Sequence, residues 1–358
     1  MSHIIETNTA NEAWLQARQM FFSDRGSSLQ PSRGGLTREV LGITFAISNP
    51  LQRWVISRAP AMNPAFAIAE VIWILGGRND SKFLRFWNRN LHKFAGKSAN
   101  YHGAYGHRLR RNMGFDQIER AYNILSSNPE SRQVVLQLWD SKRDMPWNTG
   151  SPRSKDIPCN LASLLKIRKG RLEWTQILRS NDLFLGVPYN FIQFTILQEI
   201  IAGWLGVEVG SYTHFSDSLH VYESDLINLS TFNEMEEYSN TDSLALSKLR
   251  CDTVLSEFTE RITVISSMNC TEQELMELTE WQDCPQSFKN LFIIVALEAA
   301  RRHRFPDAAA VLFRNCTNPA LRQVWSNWSD KFDSKHQSTS FVSLRKVRDK
   351  SATQDYGI

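Results

Sequence analysis

The sequence has no CxxC pair, no long apolar run and no large excess of charge. Its five cysteines are widely spaced, so neither a zinc knuckle nor a dithiol redox motif is supported. No apolar run approaches the roughly 20 residues that cross a bilayer, and the first residues lack the order of a signal peptide. The formal net charge of +4 is too small to argue for nucleic-acid binding. We therefore expect a cytoplasmic protein without a metal, a membrane or a direct nucleic-acid partner.

The composition is that of a soluble globular protein. Of the 358 residues, 42% are hydrophobic and 22% are charged, which is typical of folded chains. The length exceeds that of a minimal domain, and helical patterns follow one another after about residue 240. We predict a main domain over residues 1–240, a helical extension over 241–332 and a flexible tail over 333–358.

Apolar residues at helical spacing predict two helices in the main domain. The first covers residues 64–75 and stops at two glycines. The second covers residues 190–205 and stops at Gly206, a residue that suits a left-handed cap. The second pattern is so apolar that this helix should be buried.

Alternating patterns predict strands in two places. Residues 161–180 read as a β-hairpin that turns at Lys169 and Gly170. Residues 131–140 predict a further strand. Strands and helices in one main domain indicate an α/β or, more strictly, an α+β protein.

One cysteine has a context that favours chemistry over packing. Cys159 lies in the segment DIPCN, where Pro158 biases Ile157 toward an extended backbone just before the hairpin. A cysteine there would lie at the mouth of a sheet. The other cysteines fall in the C-terminal half and are predicted to be small buried residues: they are Cys251, Cys270, Cys284 and Cys316.

The segment RSNDLFLGVPYN at 179–190 offers polar groups of the kind that bind a nucleotide. Arg179 and Ser180 offer an anion a guanidinium fork and a hydroxyl. Asn190 can present a donor and an acceptor together, as reading one edge of a pyrimidine requires. Taken alone, the segment is better interpreted as a polar strand end that leads into a helix N-terminus.

Together these segments resemble the thymidylate synthase family, in the same order and at the same spacing. The resemblance runs from DIPCN through RSNDLFLGVPYN to SLHVYESD. It also includes EVIWILGG, AYGHRLR and ESRQVV earlier in the chain. It covers roughly residues 25–235.

The resemblance implies catalysis by a thiolate. Adding the Cys159 thiolate to C6 of a pyrimidine would make C5 nucleophilic toward a one-carbon unit. Arg179 should lower the pKa of the thiol, and Glu70 would move protons through ordered water. The catalytic set that the family implies is Cys159, Glu70, Tyr105, Asn160 and Asp182.

The resemblance also implies two groups of binding residues. The pyrimidine nucleoside monophosphate would be held by Arg33, Arg132, Arg179, Ser180, Asn190, His220 and Tyr222. The co-substrate 5,10-methylenetetrahydrofolate would be held by Trp87, Asp182 and Gly186. Family enzymes are dimers, so Arg132 would be donated across a homodimer interface.

The family fold is a large mixed β-sheet with flanking helices. One face of that sheet would pack against the dimer partner. The helices after residue 240 would form an all-α extension whose role the sequence does not give.

Three functions fit this sequence. The first is methylation of dUMP to dTMP, because an amide at Asn190 suits uracil better than cytosine. The second is hydroxymethylation of dUMP or a cytidine nucleotide by the same family, which the segments SRGGLTREVLG and SDSLHVYESD favour. The third is a nucleotide-binding or partner-docking protein without catalysis. Gln133 and Asn160 depart from the arginine and histidine of classical synthases.

Overall fold

One mixed sheet forms the centre of the structure. This computed structural model describes residues 3–22, 27–233 and 238–332. The strands are β1 (His3–Thr7), β2 (Ser28–Ser32), β3 (Gly35–Ile47), β4 (Val135–Gln137), β5 (Asn160–Arg168), β6 (Arg171–Leu178), β7 (Asn181–Asp182) and β8 (Glu208–Tyr222). Their order is β1-β3-β8-β6-β5-β4, with β2 beside β3 and β7 beside β8.

The sheet contains both parallel and antiparallel pairs. Strand β3 runs parallel to β1 and antiparallel to β8, while β8 runs parallel to β6 and β7. The mixed sheet and its flanking helices confirm the predicted α+β fold.

The predicted hairpin is confirmed as β5 and β6. Lys169 and Gly170 both have left-handed backbone angles, with φ of 51° and 73°, as a two-residue turn of this twist requires. The register pairs Asn160 with Leu178. Cys159 and Arg179 therefore lie opposite each other at the open end of the hairpin.

The strand predicted over 131–140 is wrong in extent, since β4 has only three residues. It pairs with β5 alone at the end of the sheet. Beyond it, the N–H groups of Leu138 and Trp139 both donate to the carbonyl of Leu161. This shared acceptor ends the regular ladder.

Helices cover the buried face of the sheet and continue to the end of the described chain. Those up to residue 230 are α1 (Ala10–Gln19), α2 (Pro64–Leu75), α3 (Ser81–Trp87), α4 (Leu91–Ala95), α5 (Tyr105–His107), α6 (Gln117–Ser127), α7 (Ser141–Asp144), α8 (Val187–Leu205) and α9 (Leu226–Ser230), with a π-helical turn at Arg108–Asn112 and a 3-10 turn at Glu223–Asp225. The later ones are α10 (Lys248–Ile265), α11 (Glu272–Thr279), α12 (Gln286–His303), α13 (Pro306–Asn315) and a helix over 319–332.

Both helices predicted in the main domain are present. Helix α2 has the predicted bounds. Helix α8 begins three residues earlier than predicted because Pro188 lies in its first turn, where a missing N–H costs nothing. Gly206 caps α8 with a φ of 66°, so the predicted left-handed cap is confirmed.

The C-terminal helices share a hydrophobic core with the sheet. Helices α10 and α12 pack against α2, and one continuous cluster of buried side chains extends to Trp325. Buried Glu199 on α8 pairs with Arg53 and accepts the N–H of Leu244, which fixes the start of the extension. The boundary at residue 240 stays a prediction, and the predicted tail over 333–358 lies outside the described residues.

No helix among residues 3–22, 27–233 and 238–332 is long and apolar enough to cross a membrane.

Candidate active site

A cavity of about 1630 Å³ opens at the end of the β5–β6 hairpin. Its walls come from the first turn of α8, one face of α2 and the C-terminal helices. Most of the predicted site residues line it: Arg33, Glu70, Trp87, Tyr105, Cys159, Arg179, Ser180, Asp182, Gly186, Asn190, His220 and Tyr222. Two do not, namely Asn160, which is buried behind Asn190, and Arg132, which is exposed elsewhere.

Cys159 and Arg179 are held together by backbone bonds. The N–H of Arg179 donates to the carbonyl of Cys159 over 3.0 Å, and Nε of Arg179 donates to the carbonyl of Pro158 over 3.0 Å. These bonds place Nη2 of the guanidinium 3.9 Å from Sγ of Cys159. The fork is therefore fixed beside the thiol instead of swinging freely in solvent.

The pKa of Cys159 is raised, contrary to the simple expectation from Arg179. Burial is the largest cause, because a thiolate loses solvation in the cavity wall. Arg179 and Arg33 lower this pKa, while the carboxyl of Asp156 raises it.

Glu70 is a half-buried residue whose carboxyl has an unusual pKa. It lies on α2 and lines the cavity, and burial raises its pKa to about 7. The Nε2 of Gln193 donates to its Oε2 over 2.6 Å and partly offsets that rise. A carboxyl whose pKa lies near neutral pH can both accept and donate a proton.

Tyr105 faces the thiol from the start of α5. Its pKa is raised by burial and by the nearby Cys159, and a hydrogen bond with Asn160 opposes this rise. The hydroxyl therefore stays protonated and can donate to a ligand or to water. Asn160 reaches the site only through Tyr105 and Asn190.

His220 and Tyr222 lie on one face of β8, as an extended backbone requires. Their rings meet edge to face, with centroids 5.7 Å apart. The Nδ1 of His220 lies 3.4 Å from Oγ of Ser180. The hydroxyl of Tyr222 packs so tightly on Gly34 that a Cβ there would come within 2.6 Å of it, which places the loop of Arg33 beside this group.

Asp182 and Gly186 shape the turn into α8. Oδ1 of Asp182 accepts the N–H groups of Phe184 and Leu185, each over 2.8 Å. Burial raises the pKa of this carboxyl, and the nearby His220 opposes the rise. Gly186 has no room for a side chain, since a Cβ would lie 2.6 Å from Oδ1 of Asn181.

Trp87 joins the site to the C-terminal extension. Its carbonyl accepts from Nδ2 of Asn63 over 3.1 Å and from Nη2 of Arg302 on α12 over 2.8 Å. Its Nε1 is buried and has no hydrogen-bond partner anywhere in the described part of the chain. An unsatisfied buried donor in a cavity wall favours a polar ligand or water at that point.

Sequence reasoning missed three groups at this site. Gln193 follows Asn190 by three residues and so lies on the same face of α8, a spacing that could have found it. Asp156 belongs to the DIPCN segment and accepts the N–H of Gly103 over 2.8 Å. No sequence signal indicates that Arg302, far along the chain, reaches Trp87.

Comparison with known proteins identifies a family and several relatives. The thymidylate synthase family model matches residues 29–272. The chain is 36% identical over 211 residues to the deoxyuridylate hydroxymethyltransferase of Bacillus phage SP01, covering 56% of this chain and 54% of that protein. It is 34% identical over 186 residues to the deoxyuridylate hydroxymethyltransferase of Pseudomonas phage M6, covering 51% and 52%.

A methanogen relative is covered more completely. The chain is 32% identical over 223 residues to the "Putative thymidylate synthase" of Methanothermobacter marburgensis, covering 62% of this chain and 94% of that protein. By contrast, it spans about half the length of the two phage relatives.

The matched residues 29–272 make up more than half of this chain, and their match defines the class of protein. The chain belongs to the thymidylate synthase family, as its motifs predicted.

Proposed function

We propose that this protein transfers a one-carbon unit to C5 of dUMP through a covalent bond between Sγ of Cys159 and C6 of the base. The observation that carries the proposal is the fixed contact between Cys159 and Arg179 at one end of a cavity that Glu70 and Asn190 also line. This arrangement brings together a nucleophile, a cation, a proton carrier and an amide. The names of the two phage relatives support a uracil deoxynucleotide as substrate.

The residues have distinct roles in this reaction. Arg33, Arg179 and Ser180 bind the phosphate, and Asn190 pairs with the edge of the base. Cys159 gives up its proton and adds to C6, so the electrons of the C5–C6 double bond move toward C5 and O4. Glu70 and Tyr105, which also line the cavity, accept and donate protons during the reaction. C5 would then bond to the methylene carbon of the folate and lose its proton, and tetrahydrofolate would leave. Addition of water to the resulting exocyclic methylene, or of hydride for a methyl group, would precede expulsion of the Cys159 thiolate, which restores the double bond.

The cavity fits a second ligand beside the nucleotide. Its volume of about 1630 Å³ exceeds the roughly 300–1,000 Å³ of a pocket for one small molecule. Trp87, Asp182 and Gly186 line the wall of this cavity. 5,10-Methylenetetrahydrofolate would supply the one-carbon unit there.

The cavity rim also suits an acidic ligand. It carries the basic side chains of Arg89, Lys93, Arg301 and Arg304. Arg301 lies on α12, and Arg304 caps the end of that helix. A role for the extension in binding the carboxylates of a folate follows from this placement.

Hydroxymethylation is the favoured outcome of the transfer. The sequence alone put methylation to dTMP first, but the two phage relatives are named hydroxymethyltransferases. The product would then be 5-hydroxymethyl-dUMP, with dTMP as the second candidate. Both outcomes need the same residues up to the point at which C5 carries the new carbon.

A homodimer completes the proposed phosphate site. Arg132 is exposed and does not line the cavity of its own chain. Leu41 on β3 is 60% exposed on the face of the sheet that the helices leave open. A partner packed on this face would cover such apolar groups and bring its own Arg132 to the site.

Release of tritium from C5-labelled dUMP tests the proposal. Wild-type protein should release the label when the folate is present, and Cys159→Ala should not. The mass of the nucleotide product then separates hydroxymethylation from methylation, and a rise in dihydrofolate absorbance accompanies methylation alone. A wild-type protein that behaves like Cys159→Ala would instead support a binding protein without catalysis.

A further inference from the structure

A chain of hydrogen bonds between buried side chains runs beneath the cavity and includes Asn190. Each member is at most 7% exposed. In order, the chain consists of Trp174, Gln176, Asn160, Asn190, Asn181, His214 and Tyr212. We name this set the amide relay. Of its members, only Asn181 and Asn190 line the cavity.

Trp174 fixes the direction of every bond in the amide relay up to Asn190. An indole N–H can donate but cannot accept, and it donates to Oε1 of Gln176 over 3.1 Å. Gln176 must therefore direct its Nε2 at Oδ1 of Asn160, 2.9 Å away. Asn160 in turn directs its Nδ2 at Oδ1 of Asn190, across the longest link of 3.5 Å.

The hydrogen bonds from Asn190 onward to Tyr212 run in the same direction. Nδ2 of Asn190 donates to Oδ1 of Asn181 over 3.1 Å, and Nδ2 of Asn181 lies 2.9 Å from Nε2 of His214. That ring nitrogen must accept, so His214 is neutral with its proton on Nδ1, 3.0 Å from the hydroxyl of Tyr212. Burial lowers the pKa of His214 to about 3, which keeps the ring neutral at ordinary pH.

The direction of the amide relay decides what Asn190 can offer a base. One lone pair of its Oδ1 and one hydrogen of its Nδ2 are used within the relay. The second lone pair and the second hydrogen remain for a ligand. A uracil edge presents an N3–H donor and an O4 acceptor, whereas a cytosine edge presents the opposite pattern. Turning the amide over would therefore exchange one base for the other.

We propose that Asn160 and Asn181 are positioning residues that hold the Asn190 amide in the orientation that accepts uracil and rejects cytosine. This inference assumes the proposed nucleotide site and adds the source of its base specificity. Rotating Asn190 alone would set its Nδ2 against Nδ2 of Asn160 and its Oδ1 against Oδ1 of Asn181. Both contacts would leave buried polar groups unpaired, which the low-dielectric interior makes costly.

Two aspartate variants distinguish this proposal from a general effect of charge. In Asn160→Asp the carboxylate can only accept, so it still pairs with Gln176 and can also accept from the hydroxyl of Tyr105. Its contact with Asn190 is favourable only if that amide presents an N–H instead of Oδ1. The Asn190 amide then turns over, and Asn181 and His214 reverse with it. In Asn181→Asp the carboxylate accepts from Asn190 as before, and only the proton of His214 moves to Nε2. Both variants add one negative charge next to the same amide.

Equilibrium binding of dUMP and dCMP to the full chain measures the effect. The ratio of the two dissociation constants should shift toward dCMP by about tenfold or more in Asn160→Asp, the scale of a lost bidentate pair. In Asn181→Asp the preference for dUMP should persist. Equal shifts in both variants, or no shift in Asn160→Asp, would overturn the proposal. A wild-type protein that binds neither nucleotide would overturn the proposed function as well.

Trp174→Phe provides a second test, since it removes the indole N–H and keeps an aromatic ring at this buried position. It removes the donor that sets the direction, while the hydroxyl of Ser163, 2.6 Å from Oε1 of Gln176, can adapt to either direction. Discrimination between dUMP and dCMP should fall. Full discrimination in a folded Trp174→Phe protein would mean that the amide relay does not set the base preference, even if Asn160→Asp fails to fold.

Discussion

The side-chain amide of Gln193 donates to the carboxyl of Glu70 over 2.6 Å. The two residues belong to different helices, α8 and α2, that pack against each other. This bond favours the ionised carboxyl, whereas burial favours the protonated one, and the balance leaves the pKa at about 7. The packing of two helices thus tunes the group proposed to carry protons.

Gln193→Leu should raise the pKa of Glu70 above its present value. A hydrogen bond to a charged group contributes about 1.5–3 kcal/mol, so the acid limb of the kcat profile should move to higher pH by about one unit. Initial rates measured across the pH range for both proteins give this shift.

Gln198→Leu is the matched control for that experiment. Gln198 is also a buried amide on α8, but it donates to the backbone carbonyls of Leu172 and Gly210. Its loss should destabilise the fold without moving the pH midpoint. An unmoved midpoint in Gln193→Leu would show that Glu70 does not control the acid limb.

Glu70→Gln should make the protein more stable at neutral pH. The pKa of Glu70 is raised from 4.5 to about 7 in the folded protein. Between these values the unfolded chain ionises while the folded one keeps its proton, so wild-type stability falls as pH rises. At about 1.4 kcal/mol per unit, the advantage of the variant should grow to about 3 kcal/mol above pH 7 and vanish below 4.5.

Urea unfolding at several pH values measures this difference. Glu260→Gln, at an exposed position on α10, should leave the pH dependence of stability as it is in the wild type. A Glu70→Gln protein whose advantage does not change with pH would contradict the assigned pKa shift.

Local patterns predicted the elements that hold the catalytic group, and the reasons are physical. The turn at Lys169 and Gly170 and the alternation on either side fix the β5–β6 register, which in turn sets Cys159 opposite Arg179. These are short-range relations between residues about twenty positions apart. The alternation of apolar and polar residues along the sequence is enough to predict the hairpin that creates these relations.

Contacts between residues far apart in the chain could not be predicted from local sequence patterns. The contact between Arg302 and Trp87 joins residues 215 positions apart, and no periodicity encodes it. The amide relay is similar, because a buried glutamine in a strand such as Gln176 reads only as a polar residue at an apolar position. The net pKa of Cys159 depends on burial, which a sequence does not give.

Gly186→Ala should weaken nucleotide binding. The added Cβ would meet Oδ1 of Asn181 at 2.6 Å and the carbonyl of Asp182 at 3.1 Å, so the turn into α8 must shift. Overpacking of this kind costs about 1–3 kcal/mol of stability, and the displaced Asn181 disturbs Asn190. Thermal unfolding and dUMP titration measure the two effects.

Gly76→Ala is the control for this change. Gly76 ends α2 with a right-handed φ of −74°. A Cβ added at Gly76 would lie 3.3 Å from its nearest neighbour, the carbonyl oxygen of Ile72. It should alter stability only slightly and leave dUMP affinity unchanged. If Gly186→Ala binds dUMP as tightly as this control does, the turn does not position the site.

Mixing two inactive proteins tests whether Arg132 acts across a dimer. Arg132→Ala should lose activity because the partner's phosphate site lacks a guanidinium, and Cys159→Ala should lose it because the nucleophile is gone. In a mixed dimer, the chain with Cys159 receives an intact Arg132 from its partner, so one of the two sites is complete. Reassociation of equal amounts should restore about a quarter of wild-type activity, since about half of the dimers are mixed. Recovery that stays at the level of the separate proteins would place Arg132 outside the partner's site, and retention of full activity by Arg132→Ala would remove it from the phosphate cluster altogether.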